Sequence, residues 1–509
     1  MWDRRRKWVV CALLLVTAFS FRFCAARFLP NDNPEDGRVY AQLARTLLEQ
    51  HVYSHLDQPP YPPSISRLPG YPIFLAAIYS IFGHANNTAV RIVEALLDTA
   101  SCGLIALIAY YWEPNEKRKR VAAIAALALS AVCPFTTIYV ATILTEIPTI
   151  FLMLGICLLA TSGFNASSFK RSLWWWGATG LVAGAAVFFR PDSGLFACAV
   201  GLTLVITTLF RRQKAVGSGS SQTLRNRVLR VLAQGAVLSL AFALVLVPWT
   251  VRNWRVFHLL QPLAPTHGEM PGEFVPLGYY TWLQTWVDDQ RYILPLRWSV
   301  GDEQIDSEEI PDKAFDSPEE KMRVAALLDQ YNNPPEVDDE DESNAESEDE
   351  NSHVLMTPEI DAGFAQLARE RIARAPLRYY FWVRLKRASA QWFDTHSEYY
   401  PFEGELFPLS DLDKTLHQQI WLPLFAALVW IYTLLGLAGA WCLWRSRDFA
   451  ARRWLLLVGL LVFIRLAFFS TMENPEPRYT VEIFPFLSAL GGMAIARLSI
   501  PRLPTSMLG

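Results

Sequence analysis

The sequence has little charge and few candidate metal ligands for its length. Only 19% of the 509 residues are charged, and there are 7 cysteines and 8 histidines. The cysteines all lie in long apolar segments without metal-ligand spacing, so we interpret them as small core hydrophobes. No glycine-rich phosphate loop of the P-loop or Rossmann pattern occurs. The sequence therefore gives no support for a disulfide-stapled outer domain or for a nucleotide-binding or nucleic-acid-binding protein.

Apolar and aromatic residues are abundant instead: 52% of the chain is hydrophobic, and it contains 18 tryptophans. Segments of roughly 17 to 25 residues, long enough to cross about 30 Å of hydrocarbon, occur about ten times. This pattern predicts an all-α polytopic membrane protein with about ten transmembrane helices. The predicted spans are 8–28, 89–111, 121–141, 146–162, 173–189, 194–210, 231–250, 419–444, 454–471 and 480–497.

Loops rich in lysine and arginine alternate along the chain, which assigns them to the cytoplasmic side. We expect an integral protein of a bacterial plasma membrane with a cytoplasmic N-terminus, whose first run is an anchor and not a cleaved signal peptide. The first outer loop is then 29–88, and it contains two amphipathic or interfacial helices, 33–53 and 70–82. We divide the chain into a catalytic membrane core (1–250), an outer loop (251–418) and C-terminal membrane helices (419–509).

The outer loop changes character along its length. It begins with aromatic sequence and becomes strongly acidic after Asp302, culminating in DDEDESNAESEDE at 338–350. Such charge density predicts a disordered, solvated segment at about 301–355, in preference to a cation site. Beyond it, 364–393 reads as two amphipathic helices divided at Pro376. No internal repeat is visible, which weakens a transporter interpretation.

Unusual polar residues collect at the predicted outer ends of the spans. Glu35 and Asp36 open an amphipathic helix behind Asn33 and Pro34, where an acid also suits the helix dipole. Each of the others, taken alone, has an ordinary explanation as a helix cap or a snorkelling arginine. Together they predict a polar chamber. The residues are Arg67, Tyr71, Glu146, Arg190, Asp192, Arg252, Asn253, Arg478 and Tyr479.

The ordered set EDGRVYAQLARTLL, RLPGYPIFLAAIYSIFG, TEIP, RPDSG, PWTVRNW and EPRYT resembles the C-type glycosyltransferases. The resemblance is to the branch with protein O-mannosyltransferases and lipid A aminoarabinose transferases. It covers residues 8–255 and 454–497 and leaves the central outer loop unexplained. The family often has an Asp-Glu order in its first outer loop, whereas this chain has Glu35-Asp36. We favour Asp36 as the acting acid because it directly precedes a Gly-x-x-Tyr with the family's spacing.

The resemblance implies a sugar donor carried on polyprenyl phosphate and an acceptor that is a lipid, glycan or protein hydroxyl. Asp36 would be the general base, supported by Glu35, and one displacement would invert the anomeric centre. Arg478, with either Arg67 or Arg252, would hold the phosphate, while Glu146 and Arg190 would position sugar or acceptor. Tyr71, Asp192, Asn253 and Tyr479 complete the implied substrate-binding set. A divalent metal is possible, although neither Asp411-Leu412-Asp413 nor the pair His396 and Glu398 is a convincing site.

Two other functions fit parts of the pattern. A lipid-linked glycan flippase or other transporter would place ionisable residues and broken helices at mid-membrane depth. An outer-face polymerase or ligase would transfer whole lipid-linked glycans instead of one sugar.

Overall fold

The computed structural model describes residues 4–29, 35–83, 85–210, 224–334, 354–395, 397, 400, 416–446 and 448–499. Every regular element in these ranges is a helix, and no strand occurs among them. The chain is therefore an all-α polytopic membrane protein, as predicted. Several sequence features fall outside the described residues, namely the predicted cap Asn33, the acidic run 338–350, His396, Glu398, Asp411 and Asp413.

Ten α-helices form the described part of the chain up to residue 257. They are α1 (Arg4–Phe28), α2 (Glu35–Glu49), α3 (Gly70–Phe82), α4 (Asn87–Trp112), α5 (Glu116–Ala131), α6 (Pro134–Thr137), α7 (Glu146–Phe164), α8 (Phe169–Phe189), α9 (Ser193–Leu209) and α10 (Leu224–Phe257). The predicted helices of the first outer loop are α2 and α3. Ala44 of α2 packs on Tyr71 and Leu75 of α3, so the apolar stripe of α2 is buried.

Seven α-helices follow in the described ranges after residue 257. They are α11 (Leu277–Gln284), α12 (Pro318–Asn332), α13 (Pro358–Arg374), α14 (Arg384–Phe393), α15 (Leu416–Trp444), α16 (Phe449–Phe469) and α17 (Phe484–Ser499). The 3-10 helix Pro477–Ile483 runs directly into α17. As predicted, the chain breaks between α13 and α14 near Pro376, because proline cannot supply the backbone donor that a continuous helix needs.

All ten predicted spans are helical, but they differ in length and polarity. Seven helices in the described ranges are long and apolar enough to cross a membrane, and an eighth span arises if the bent pair Glu116–Ala131 and Pro134–Ala141 is counted as one. The other two predicted spans, α9 and α16, are shorter or more polar than these helices. α9 has only 17 residues, and α16 contains three arginines, at 452, 453 and 465.

Glycines allow α8 to approach α10 closely. A Cβ at Gly180 would lie 2.2 Å from the Leu238 carbonyl oxygen, and one at Gly184 would lie 2.8 Å from the Phe242 carbonyl oxygen. Helices in a membrane gain little from hydrophobic association, so close backbone packing through small residues contributes much of their contact. This packing positions the end of α8, where Arg190 is the C-cap.

Disorder was predicted for about 301–355, but this prediction is wrong for residues 301–334, which are folded. This segment folds into a unit with α11 and α13, which we call the loop unit (residues 275–371). Val324 and Leu328 of α12 are buried against Trp282 of α11 and Phe364 of α13. Apolar residues at helical spacing therefore outweigh the charge density of this segment. Residues 335–353 lie outside the described ranges, so for the acidic run disorder remains a prediction.

Two acids of the loop unit, Asp316 and Glu320, pair with arginines that lie more than 50 residues later in the sequence. Asp316 Oδ1 lies 2.7 Å from Arg378 Nη1, and Glu320 receives a hydrogen bond from Arg371. Arg374 Nη1 lies 2.9 Å from Asp316 Oδ2. We call these five residues the loop cluster. The pairing explains why a segment with many acids can fold.

Candidate active site

The carboxylate of Asp36 lies between two guanidinium groups. Its Oδ1 accepts a hydrogen bond from Arg67 Nη2 at 3.0 Å, and its Oδ2 accepts one from Arg478 Nη1 at 3.3 Å. Burial alone would raise the pKa of Asp36, but Arg478 and Arg67 outweigh burial and lower this pKa below its ordinary value. Glu35, one residue earlier, is exposed at the start of α2. Of the two acids, Asp36 is therefore the one that faces the arginines.

A glycine permits the position of Arg67. Gly268 has φ of +78°, and a Cβ there would lie 2.6 Å from Arg67 Nη1. Glycine adopts this left-handed conformation without steric cost and leaves room for the guanidinium. Arg67 Nη1 also donates to the Ser66 carbonyl oxygen at 3.3 Å. The loop that follows α10 thus helps to hold Arg67 against Asp36.

Arg478 connects Asp36 to a buried acid, Glu146. Its Nε donates to Glu146 Oε1, and the same oxygen accepts a hydrogen bond from Arg190 Nη1. Glu146 is the first residue of α7 and is completely buried. The carboxylate of Glu476 caps the 3-10 helix by accepting a hydrogen bond from the Arg478 amide at 3.3 Å. Arg478 is thus fixed through both its backbone and its side chain.

Two further acids, Asp192 and Glu482, lie behind Glu146, and each pairs with both Arg190 and Arg465. Arg190 Nε donates to Asp192 Oδ1 at 3.0 Å and lies 3.6 Å from Glu482 Oε1. Arg465 Nη2 lies 2.6 Å from Asp192 Oδ2 and 2.8 Å from Glu482 Oε2. Burial would raise the pKa of Asp192, but the two arginines lower it below its ordinary value. Charges buried to this extent are tolerated because each one is paired.

Eight side chains, four acids and four arginines, form one connected network of ion pairs, which we call the ion network. Asp36 is 25% exposed and Arg67 is 32% exposed, whereas the other six side chains are at most 9% exposed. Within the described residues the network is therefore open to solvent at its Asp36 end. Its members are Arg67, Asp36, Arg478, Glu146, Arg190, Asp192, Glu482 and Arg465.

Arg465 and Glu482 were not among the site residues predicted from the sequence. Both lie in segments assigned as membrane spans, 454–471 and 480–497. An arginine inside an apolar run indicates a buried partner or a functional site. Arg465 shows this signal, because it lies in the apolar run 454–471. Which acids it pairs with could not be read from the sequence, because Asp192 is 273 residues away (465 − 192).

The two tyrosines of the predicted site lie beside the ion network. Tyr71 donates a hydrogen bond to Glu94 Oε1 at 2.7 Å, which identifies a second buried acid that the sequence analysis missed. The Tyr479 ring stacks on Phe469, with 4.1 Å between centroids, and the Tyr479 carbonyl oxygen accepts a hydrogen bond from Arg465 Nε at 2.6 Å. Tyr479 therefore orients an arginine of the network through its backbone.

Arg252 and Asn253 lie outside the ion network. The Arg252 guanidinium carbon lies 4.8 Å from the Trp249 ring centroid, and Nη1 donates to the Ser64 carbonyl oxygen at 2.8 Å. Asn253 Nδ2 donates to the Gln261 carbonyl oxygen at 2.8 Å. Of the two arginines considered as partners of Arg478, Arg67 contacts Asp36, whereas Arg252 supports the loop that carries Arg67.

No group of three or more histidine, cysteine, aspartate and glutamate side chains in the described ranges is arranged to hold a metal ion. The carboxylates of the ion network are separated from one another by arginines. The arrangement instead suits an anion at its open end, because Arg67 and Arg478 present two cations there.

A protein-family profile matches part of the chain. Residues 60–220 match the sequence profile described as Dolichyl-phosphate-mannose-protein mannosyltransferase. The matched range contains four members of the ion network, namely Arg67, Glu146, Arg190 and Asp192. No curated protein matches the chain significantly.

The solved structures that match the chain include two kinds of protein, both at low sequence identity. The oligosaccharyltransferase of Archaeoglobus fulgidus, with a tethered acceptor peptide, has 12% identity and a TM-score of 0.47 over 96% of this chain and 49% of that chain. ArnT from Cupriavidus metallidurans, bound to undecaprenyl phosphate, has 14% identity and a TM-score of 0.35 over 97% of this chain and 78% of that chain. The chain thus spans about half the length of the oligosaccharyltransferase it matches.

Proposed function

We propose that this chain, a C-type membrane glycosyltransferase, transfers a single sugar from a polyprenyl-phosphate donor to a hydroxyl group. The acceptor is a lipid, glycan or protein of the cell envelope, and the reaction takes place at the outer face of the membrane. The observation that carries the proposal is the position of Asp36. It is the most exposed of the four carboxylates in the ion network, and it lies between two cations that can hold a phosphate.

The two arginines give the donor phosphate a site next to the base. A lipid phosphate is a good leaving group, and fixed positive charge stabilises the negative charge that develops on it. When the donor phosphate contacts Arg67 and Arg478, their hold on Asp36 weakens. The pKa of Asp36 then rises from its depressed value, and the carboxylate becomes a stronger base. Donor binding therefore prepares the base for the acceptor.

The chemical step is a single displacement. Asp36 takes the proton of the acceptor hydroxyl, and the acceptor oxygen forms a bond to the anomeric carbon. The bond between that carbon and the phosphate oxygen breaks, and its electron pair stays on the phosphate. One displacement inverts the anomeric configuration, unlike the double displacement of retaining enzymes.

The buried members of the ion network maintain the orientation of Arg478. Glu146 is completely buried, and Arg190 pairs with Glu146, Asp192 and Glu482 but not with the open end of the network, so we assign both to positioning. Asp192 acts behind them through Arg190. Tyr71 and Tyr479 line the same region, and Glu35 supports the start of α2. The N-terminus is cytoplasmic, and the membrane is a bacterial plasma membrane.

A lipid-linked glycan transporter, the alternative function, would place ionisable residues inside its membrane helices. Arg22 and Asp98 form a buried pair inside α1 and α4, with 2.6 Å between Nε and Oδ2, beside the broken pair α5 and α6. The remaining Arg22 donors bond the Ser130 and Ala131 carbonyl oxygens, both at 3.1 Å. These carbonyls end α5, so the pair caps the break in the helix. A structural role accounts for it.

The test compares Asp36→Asn with Glu35→Gln in purified protein supplied with a panel of radiolabelled polyprenyl-phosphate sugars and extracted envelope acceptors. If Asp36 is the base, Asp36→Asn lowers turnover by about 10² to 10⁴-fold, while Glu35→Gln has the smaller effect. Membrane insertion and donor binding remain normal in both. Near-normal transfer by the Asp36→Asn protein would refute the assignment of the base. Formation of product in detergent solution, where no bilayer is present, distinguishes a transferase from a transporter. The mass of the product shows whether one sugar or many sugars were transferred.

A further inference from the structure

The turn between α16 and the 3-10 helix is bound to the loop unit through Glu473. The carboxylate of Glu473 is 4% exposed, and both of its oxygens are held. Its Oε1 accepts a hydrogen bond from Arg297 Nε at 3.2 Å, and its Oε2 accepts one from Gln284 Nε2 at 3.1 Å. Both donors belong to the loop unit. Glu473 lies five residues before Arg478, so the loop unit is attached close in sequence to the arginine that connects Asp36 to Glu146.

A second attachment reinforces the first. Arg387 of α14 is 1% exposed and donates to the carbonyl oxygens of Val287 at 2.6 Å and Gln284 at 2.9 Å, at the end of α11. Its Nη1 also reaches the Ser470 carbonyl oxygen at 3.4 Å, where the turn leaves α16. One guanidinium therefore joins the loop unit to the first residue of the same turn.

These contacts fix the position of Glu473 more than they stabilise the fold. A buried ion pair contributes little net stability compared with well-packed apolar residues, but it imposes a geometry. The Arg297 guanidinium carbon also lies 3.8 Å from the Tyr280 ring centroid, which restricts it further. Burial would raise the pKa of Glu473, yet Arg297 and Gln284 bring this pKa below its ordinary value. The acid is therefore charged, and its position is determined from two sides.

Arg478 needs such precision because it reaches two acids on different helices. Its Nε contacts Glu146 at the start of α7, and its Nη1 contacts Asp36 on α2 at 3.3 Å. A small shift of the turn would lengthen the contact with Asp36, which is already the longer of the two. Misplacement of a catalytic group by about 1 Å can cost on the order of 10²-fold in rate.

We propose that Glu473 is a positioning residue, through which the loop unit holds Arg478 in register with Asp36. The inference rests on the proposed function, since it assigns Glu473 a role in the same site. Glu473 does not touch the substrate; it acts through the turn and Arg478. The loop unit is then a part of the catalytic apparatus and not only an insertion between membrane helices.

The test is the Glu473→Gln variant of the full-length protein, with Glu370→Gln as the matched control. Glu370 belongs to the same unit and bonds Arg323 through both oxygens, at 2.6 and 3.2 Å, but this pair is exposed. We expect kcat/KM to fall about 10 to 100-fold in Glu473→Gln and to stay unchanged in Glu370→Gln. Gln284→Met, which removes the other donor without leaving an unpaired charge, should change kcat/KM in the same direction.

The pH dependence of kcat/KM distinguishes positioning from a merely structural role. Asp36 faces Arg67, Arg478 and Tyr40, and Arg478 is the largest of the influences that depress its pKa. If Glu473→Gln moves Arg478 away, the pKa of Asp36 rises, and the acid limb of the profile moves to higher pH. A general loss of folded protein would lower kcat/KM at every pH but would not change the pH at which the acid limb falls.

An unchanged acid limb in a folded Glu473→Gln protein would overturn the inference. Equal activity of the Glu473→Gln and Glu370→Gln variants would overturn it as well. Failure of the proposed function is visible separately. In that case the unaltered protein transfers no sugar from any donor of the panel, or Asp36→Asn retains normal transfer, whatever the Glu473 variant does.

Discussion

The ion network and the loop cluster are built from the same two kinds of side chain but differ in the exposure of their acids. In the loop cluster the acids are covered, Asp316 at 10% and Glu320 at 5% exposure, while Arg374 is 52% exposed. In the ion network the acid Asp36 is itself 25% exposed. A covered acid with outward arginines can only stabilise its surroundings, whereas a partly open acid can exchange its partners for a substrate. Exposure of the acid, and not the number of ion pairs, separates a candidate site from a structural cluster.

This comparison is tested most strongly by removing one arginine from each cluster. Arg465→Met leaves Asp192 and Glu482 buried with one cation fewer, and breaking such a pair costs about 3 to 5 kcal/mol. Arg374→Met removes an exposed partner, and the cost is at most about 1 kcal/mol. Thermal unfolding of the detergent-solubilised proteins measures both. Equal stability of the two variants would show that the buried end of the network does not depend on alternating charge.

A second, smaller effect concerns the open end of the network. Arg67→Met removes one of the two cations that depress the pKa of Asp36, so this pKa rises toward its ordinary value. The base acts as the carboxylate, and activity is lost as the pH falls through its pKa. The acid limb of kcat/KM, which reports the free enzyme, therefore moves to higher pH, and kcat/KM itself falls by about 10 to 100-fold.

Arg252→Met provides the control for that measurement. Arg252 supports the same loop through Ser64 but makes no contact with Asp36. Its loss can weaken donor binding, yet the acid limb should stay where it is. A limb that moves equally in both variants would mean that Arg67 does not set the pKa of the base.

The sequence predicted the helices and most members of the ion network because both leave local signals. Long apolar runs identified the spans, and polar motifs at their ends identified six of the eight members of the ion network. The missing two, Arg465 and Glu482, were hidden inside segments assigned as spans. The pairing itself has no local signal, since Asp36 and Arg478 are 442 residues apart.

The loop unit shows the opposite error. Its acids indicated disorder, but the arginines that pair with Asp316 come from 55 to 62 residues further along the chain. Composition within one window does not contain that information. The apolar positions of α12, including Val324 and Leu328, were the better guide, because a buried stripe at helical spacing needs a partner surface.

The smallest effect is expected from the acidic run 338–350, of whose thirteen residues nine are acidic. Deleting it should leave folding and transfer nearly unchanged, because such a composition cannot bury a core. The flanking chain can accommodate the deletion, since the Leu355 amide donates to the Tyr331 carbonyl oxygen at 3.1 Å and the two sides of the run therefore already meet. Deleting α12 is the matched comparison, and it should abolish both the loop unit and activity, because it removes the buried Val324 and Leu328. Transfer assays on both inserted proteins decide the matter: a strong loss on deletion of the acidic run would show that these acids contact a substrate or partner.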